Sequence, residues 1–165
     1  LHTRGKRVIA EITIPSDLLE KVMGTTAEAL YKARSVNQVG SLLAGSINTG
    51  GHSANGITAT FIATGQDVAN VAESSAAIVY ADLDHNGNYY LSITIPSLIV
   101  ATYGGGTGLP TQQECLKMMG CSGAGKVNKL AEIIGATVMA GEISLMSAVL
   151  AGDWVTSHDA LGRNR

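Results

Sequence analysis

Residues 127–151, with the sequence VNKLAEIIGATVMAGEISLMSAVLA, constrain the fold of this chain more than any other segment. Apolar residues recur there at helical spacing and cover nearly the whole circumference of the predicted helix. They are Leu130, Ile133, Ile134, Val138, Ile143, Leu145, Met146, Val149 and Leu150. Because a helix that is apolar nearly all round has to be enclosed, we expect it at the centre of a domain.

Alternating residues predict the sheet that packs on this helix. Residues 7–14 alternate as a strand does, and from residue 76 onward the period is again two. Ile78 and Tyr80 alternate in the first arm of a predicted hairpin, and the apolar face of its second arm carries Tyr89, Leu91, Ile93 and Ile95. The sequence therefore predicts an α+β fold in which a sheet with a hairpin packs around a long central helix.

Two further segments have helical features. Thr25 and Glu28 form a capping-box pattern ahead of a helical stretch that ends near residue 45. Residues 52–67, HSANGITATFIATGQD, are compatible with a strand or a helix, and we favour the helix.

Composition narrows the classes of ligand and partner. Only 15% of the 165 residues are charged and the formal net charge is -2, so neither a nucleic-acid partner nor an anionic membrane surface is expected. Cys115 and Cys121 have no metal-ligand spacing, and no metal is expected. We recognise no secretory signal or membrane-spanning run, which predicts a cytoplasmic chain. The chain begins at Leu1 without an initiator Met, so we expect it to be part of a longer protein.

Two motifs resemble known ligand loops and fail on detail. Gly120, Gly125 and Lys126 match the start of a phosphate-binding P-loop, but Val127 cannot ligate Mg²⁺ and a helix is predicted ahead of the loop. The segment DLDHNGN at 82–88 resembles the opening of a calcium loop, but a hydrophobic residue occupies the position of the required bidentate Glu. We interpret both as turns.

Two residues are candidates for proton chemistry from local sequence alone. Asp67 follows an apolar element and is either a desolvated acid or a helix cap. His158 lies in a polar tail and is either a proton donor near neutral pH or a solvated surface residue.

Four ordered blocks give these residues a context. GQDVAN, IPSLIVATYGGGTGLPTQQECL, ATVMAGEISLMSAVLAG and SHDALGRNR, in this order and spacing, resemble the C-terminal part of 3-hydroxy-3-methylglutaryl-coenzyme A (HMG-CoA) reductase of the archaeal and eukaryotic class. The resemblance covers residues 1–165 as the C-terminal portion of the large catalytic domain, with 153–165 as its C-terminal flap.

The resemblance implies an NADPH-dependent reduction of HMG-CoA to mevalonate and CoA. It makes Asp67 the acid that acts with a catalytic lysine on the carbonyl, and His158 the donor that protonates the departing CoA thiolate. Residues implied to bind substrate are Asn55, Leu145, Ser157 and Arg163. Residues implied to lie near the nicotinamide cofactor are Gln66, Asn70, Tyr103 and Gly104.

The resemblance also implies partners. Family members are dimers with active sites at the subunit interface, so a homodimer or larger assembly is expected. The family's catalytic Glu and Lys precede the matched region, so a companion polypeptide would have to carry them; the alternative is a catalytically inactive fragment with a structural or binding role. Four residues depart from the family pattern: Asp159 and Gly162 in the flap, Ile99 near the cofactor, and Asn164 at the position of a regulatory serine.

Overall fold

The computed structural model describes residues 4–162 of the chain. Within that range there are three strands and seven α-helices, with short 3₁₀ segments at Val68–Asn70 and Gly105–Gly108. The strands are β1 (Lys6–Ile14), β2 (Ile78–Leu83) and β3 (Tyr89–Leu98). The helices are α1 (Ser16–Met23), α2 (Ala27–Leu43), α3 (Ser53–Thr64), α4 (Val71–Ser74), α5 (Pro110–Met118), α6 (Val127–Ala151) and α7 (Asp153–Ala160). The predicted α+β fold is confirmed.

The strands form one antiparallel sheet in the order β1-β3-β2. In the central strand β3 the predicted apolar face is buried, and Leu91, Ile93 and Ile95 are each at most 1% exposed. Ile93 lies opposite Ala10 of β1 and Val79 of β2. This face packs against α6, so the alternation seen in the sequence marks the boundary between the sheet and the core.

The hairpin turn between β2 and β3 is held by one carboxylate. Asp84 accepts hydrogen bonds from the backbone N–H groups of Asn86 and Asn88, both at 2.8 Å, and from the Asn88 side-chain amide at 2.9 Å. Gly87 has φ 78°, a left-handed conformation that favours glycine. The segment that resembled a calcium loop is therefore a turn, as predicted. Hydrogen bonds from Asn88, above all, hold the pKa of Asp84 below its ordinary value.

Replacing this carboxylate should lower stability in a pH-dependent way. Because the pKa of Asp84 is depressed in the folded chain, its contribution is fully present above the unfolded value of about 4 and is lost as the pH falls through the folded value. We expect Asp84→Ala to lower the thermal unfolding temperature at pH 7, and the gap between variant and wild type to close as the pH falls below about 4. A gap of constant size from pH 7 to pH 2.5 would contradict this account of the turn.

The long helix α6 lies in the core over only part of its length. Its buried positions are Leu130, Ala131, Ile134, Gly135, Val138, Glu142 and Ser147, whereas Val149 and Leu150 near its end are 49% and 40% exposed. By length and composition α6 could also cross a membrane, which we did not recognise in the sequence. This is weak evidence, since the central helix of a folded domain meets the same two criteria, and α6 packs here on β1, β3 and α3.

Local predictions along the other helices had mixed outcomes. The preference for a helix at 52–67 is confirmed by α3, and α5 precedes the glycine-rich segment in place of the strand that a P-loop requires. The capping prediction was wrong by one residue: Thr26, and not Thr25, caps α2, where its hydroxyl accepts the backbone N–H of Ala29 at 3.2 Å.

Candidate functional site

Helix α3 runs antiparallel to α6 and carries candidate residues at both of its ends. The backbone N–H of His52, at the start of α3, donates to Glu142 of α6 at 2.6 Å. Four residues later, a Cβ on Gly56 would lie 3.6 Å from Val138, which is one turn earlier in α6. With 12 residues, α3 is about 18 Å long, so side chains at its two ends cannot contact one another.

A buried ion pair fixes the N-terminal end of α3. Arg34 of α2 and Glu142 of α6 are 2% and 1% exposed, and the guanidinium Nη2 lies 3.0 Å from the carboxylate. The same carboxylate accepts backbone N–H groups from Gly51 at 3.0 Å, His52 at 2.6 Å and Ser53 at 3.1 Å. Four donors thus converge on one charge, which is how a buried carboxylate is stabilised.

Tyr89 of β3 borders this pair. Burial raises the pKa of Tyr89, and the neighbouring guanidinium of Arg34 acts against that rise. The cluster around Glu142 therefore joins two helices, one strand and the segment leading into α3.

Glycines make room for this arrangement. A Cβ at Gly50 would lie 2.5 Å from Glu142 Oε1. A Cβ at Gly141 would overlap the imidazole of His52, and one at Gly56 would come within 2.8 Å of it. The imidazole is thus packed between α3 and α6, and its buried Nδ1 has no hydrogen-bond partner among the described residues.

Two residues predicted to bind substrate are close to this end of α3. Asn55 is exposed and lies three residues after His52, so both are on one face of the helix. Leu145 follows Glu142 by three residues in α6, and its Cδ2 would lie 3.3 Å from a Cβ on Gly51. Leu145 also lines a cleft of about 690 Å³ between α2, α6 and α7, whose walls are mostly apolar.

Helix α7 brings His158 to the edge of this cleft. Trp154 lines the cleft with Leu145, and the rings of Trp154 and His158 stack with centroids 4.0 Å apart. His158 Nδ1 lies 2.6 Å from the carbonyl oxygen of Trp154. Because a carbonyl only accepts, Nδ1 is the donor of this bond. Ser157 is exposed on the same helix, and Arg163 lies outside the described residues.

Residues predicted to lie near the cofactor gather at the other end of α3. Gln66 donates from Nε2 to the carbonyl of Ala101 at 2.9 Å and accepts the backbone N–H of Ala101 at 2.7 Å. Its amide therefore ties the loop at 101–104 to the end of α3. Asn70 accepts a hydrogen bond from Arg4 at 2.8 Å.

Asp67 adopts the capping role that local sequence left open. Its carboxylate accepts the backbone N–H of Ala69 at 3.0 Å and caps the 3₁₀ segment Val68–Asn70. The side chain is exposed in this chain, so the desolvated environment expected for a catalytic acid is not provided by residues 4–162. A cap and an acid are compatible roles for one carboxylate, since one oxygen is enough for the cap.

Two glycine backbones touch beside Asp67. A Cβ on Gly65 would overlap the carbonyl of Gly106, and one on Gly106 would lie 2.6 Å from the oxygen of Gly65. Gly104, in contrast, faces open space, and the adjacent Tyr103 is 77% exposed. The loop thus presents uncovered backbone and one aromatic ring, which suit close approach of a flat ligand.

The contact between Gly65 and Gly106 can be tested with alanine. We expect Gly106→Ala to lower the free energy of unfolding by about 1–3 kcal/mol, because the new methyl group meets backbone that cannot rotate away. Gly108→Ala is the matched control, since it lies in the same 3₁₀ segment with nothing within 4 Å of its Cβ. Equal losses in the two variants, measured by chemical denaturation, would contradict the close contact.

The structure does not bring all predicted site residues together. Asn55, Leu145 and His158 are near the N-terminal end of α3, whereas Gln66, Asp67 and Tyr103 are near its C-terminal end. Among residues 4–162 no group of three or more His, Cys, Asp or Glu side chains could hold a metal ion.

Sequence reasoning missed three residues of this region: Arg34, His52 and Glu142. Glu142 left a signal, since it is the one acidic residue in the apolar run from Ile133 to Ala151. A lone carboxylate in such a run predicts a buried partner, but nothing in the local pattern identifies Arg34, 108 residues away.

Comparison with known proteins identifies the class to which this fold and these residues belong. Residues 1–163 match the family model for hydroxymethylglutaryl-coenzyme A reductase. The chain is 45% identical over 164 residues to 3-hydroxy-3-methylglutaryl-coenzyme A reductase of Methanothermobacter thermautotrophicus. This match covers 99% of the chain and 41% of the relative. The corresponding protein of Methanocaldococcus jannaschii is 42% identical over 164 residues, which are 99% of this chain and 40% of the relative. The reductase of Drosophila melanogaster is 46% identical over 165 aligned positions, and the match covers 94% of this chain and 18% of the relative.

The chain belongs to the hydroxymethylglutaryl-coenzyme A reductase family of oxidoreductases. It spans about two fifths of the length of the archaeal relatives that it matches.

Proposed function

We propose that this chain is the part of an HMG-CoA reductase that supplies Asp67 and His158 to the reduction of HMG-CoA to mevalonate and CoA. The observation that carries the proposal is the match to reductases over nearly the whole chain, at 45% identity in one archaeal relative. The residues gathered at the two ends of α3 support it, since one end offers an apolar cleft for an acyl chain and the other an open glycine loop.

NADPH, when bound, supplies hydride to the carbonyl carbon in each of two reductions. Tyr103 and Gly104 would hold the nicotinamide, because the exposed ring and uncovered backbone fit a flat group. Gln66 would lie near the cofactor, as the resemblance implies, and its amide, bonded at both ends to Ala101, would also support this loop. Asn70 would also lie near the nicotinamide.

The chain's own acid and base manage charge and protons. Hydride addition leaves negative charge on the substrate oxygen, which a proton source beside a cation stabilises, and Asp67 would act there with a lysine from outside this chain. The departing CoA thiolate needs a proton so that it does not attack the aldehyde again. His158 would donate it, since an imidazolium exchanges protons near neutral pH.

Substrate would contact the N-terminal end of α3 and the flap. Asn55 offers an exposed amide to the acyl group, and Leu145 offers an apolar wall. Ser157 and Arg163 would contact CoA. Because Asp67 and His158 lie at opposite ends of α3, we infer that a complete site needs further polypeptide, from a second copy in a homodimer or from a companion chain.

Exposed apolar side chains support such an assembly. Val36, Leu42 and Leu43 of α2 are 67%, 65% and 85% exposed, and Val36 borders two adjoining depressions on one side of the chain. Surfaces of this kind mark interfaces in folded proteins. A cytoplasmic location stays a prediction.

The decisive experiment measures NADPH consumption with HMG-CoA as substrate, for the full-length protein and for this chain alone. We expect turnover by the full-length protein. Turnover by the full-length protein and none by the chain alone would favour the alternative for the isolated chain, a structural part without catalysis. No turnover by the full-length protein, with both ligands at millimolar concentration, would contradict the proposed function.

Separate half-reactions test the role of His158. We expect His158→Gln in the full-length protein to slow thioester reduction by about 10²-fold or more and mevaldehyde reduction much less, because only the first step releases a thiolate. Asp67→Asn is the matched comparison and should slow both steps. Equal losses in both half-reactions for His158→Gln would contradict thiolate protonation, and unchanged rates for Asp67→Asn would contradict its assignment as the acid.

A further inference from the structure

We propose that the buried ion pair between Arg34 and Glu142 is a positioning device that fixes the substrate end of the site relative to α6. Glu142 acts through the backbone of residues 51–53, and Arg34 acts through Glu142. The inference rests on the proposed function, in which the acyl thioester lies at the N-terminal end of α3.

The first argument is where the cap of α3 comes from. The first N–H groups of a helix lack partners within it, and a Ser, Thr, Asp or Asn side chain just before the helix usually satisfies them. His52 occupies that position in α3 and makes no capping bond with its side chain. Glu142, which is 89–91 residues away in sequence, accepts the N–H of Ser53, the first residue of α3, and those of Gly51 and His52 just before it. The start of α3 is therefore attached to α6 by a tertiary contact.

The second argument is the use of charge. A neutral hydroxyl or amide would satisfy the same donors with less desolvation than a carboxylate and a guanidinium that are each at most 2% exposed. Hydrogen bonds to a charged acceptor are shorter and stronger than neutral ones, and so restrict position more tightly. The charged pair therefore restricts the position of the backbone at 51–53 more tightly than a neutral acceptor would, at a higher desolvation cost.

The third argument is what the junction holds. His52 is packed between Gly56 and Gly141, Asn55 is one turn further along α3, and Leu145 is one turn beyond Glu142 beside Gly51. A shift of the backbone at 51–53 would displace the predicted substrate residue Asn55 relative to the predicted substrate residue Leu145. Small displacements of this kind lower rates steeply in enzymes.

The two ends of α3 give a readout that a general loss of stability would not produce. Residues predicted to bind the cofactor lie at the other end of α3, a helix about 18 Å long, and are held by a different contact, between Gln66 and Ala101. Loosening the pair should therefore affect the kinetics of HMG-CoA and spare the KM for NADPH.

The experiment uses Glu142→Gln in the full-length protein, with initial rates measured against HMG-CoA at saturating NADPH and against NADPH at saturating HMG-CoA. We expect kcat/KM for HMG-CoA to fall by about 10- to 100-fold and the KM for NADPH to stay within about twofold. Asn48→Ala is a gentler second variant, because Asn48 Oδ1 accepts the N–H of Gly50 at 2.9 Å and the hydroxyl of Ser53 at 3.0 Å without any buried charge. Asn48→Ala should also lower kcat/KM for HMG-CoA and spare the KM for NADPH, with a smaller effect. It tests the positioning role if Glu142→Gln does not fold.

The matched control is Ile134→Val, which removes one buried methyl group from the same helix two turns away from the pair. We expect it to lower the unfolding temperature and to leave both kinetic constants unchanged. Parallel changes in the constants for both ligands, or a lowered unfolding temperature with unchanged kinetics in Glu142→Gln and Asn48→Ala, would overturn the positioning role while the proposed function stands. A wild-type protein without turnover would instead overturn the proposed function and this inference with it.

Discussion

The contact between Arg34 and Glu142 is the constraint on which the rest of this structure depends. It joins α2, α6 and the segment before α3, and it satisfies three backbone N–H groups that no local side chain reaches. Breaking a buried pair of this kind by removing one partner typically costs about 3–5 kcal/mol, because the remaining charge is left without compensation. The glycines at 50, 56 and 141 follow from the same constraint, since side chains there would occupy the space of the carboxylate or of His52.

Helix α3 then acts as a rod between the two parts of the candidate site. Its first turn is attached to α6 near the apolar cleft, and its last turn ends at Gly65, where the chain meets the backbone of Gly106. The cleft side carries groups suited to an acyl chain, and the glycine side carries uncovered backbone suited to a flat ring. A rigid helix of 12 residues keeps these regions at a constant separation of about 18 Å.

The sequence predicted local structure better than long-range contacts. Alternation at Leu91, Ile93 and Ile95 identified the buried strand, and Asn86-Gly87 identified its turn, because both depend on neighbours in the chain. The choice between Thr25 and Thr26 as the cap of α2 was wrong because adjacent threonines offer the same hydroxyl and only the backbone conformation decides. The residues of the candidate site came from resemblance to a family. Their division between the ends of α3, the support role of Gln66 and the pairing of Arg34 with Glu142 needed the structure, since periodicity does not specify which distant residues meet.

The most direct test of this division is the hydrogen-exchange footprint of each ligand on the full-length protein, read by mass spectrometry. HMG-CoA should slow exchange in peptides covering residues 50–56 and 142–154, and NADP⁺ should slow it in peptides covering 65–70 and 101–108. Separate footprints at these two places would support α3 as the rod between substrate and cofactor. Footprints that coincide, exchange places or lie outside this chain would contradict it.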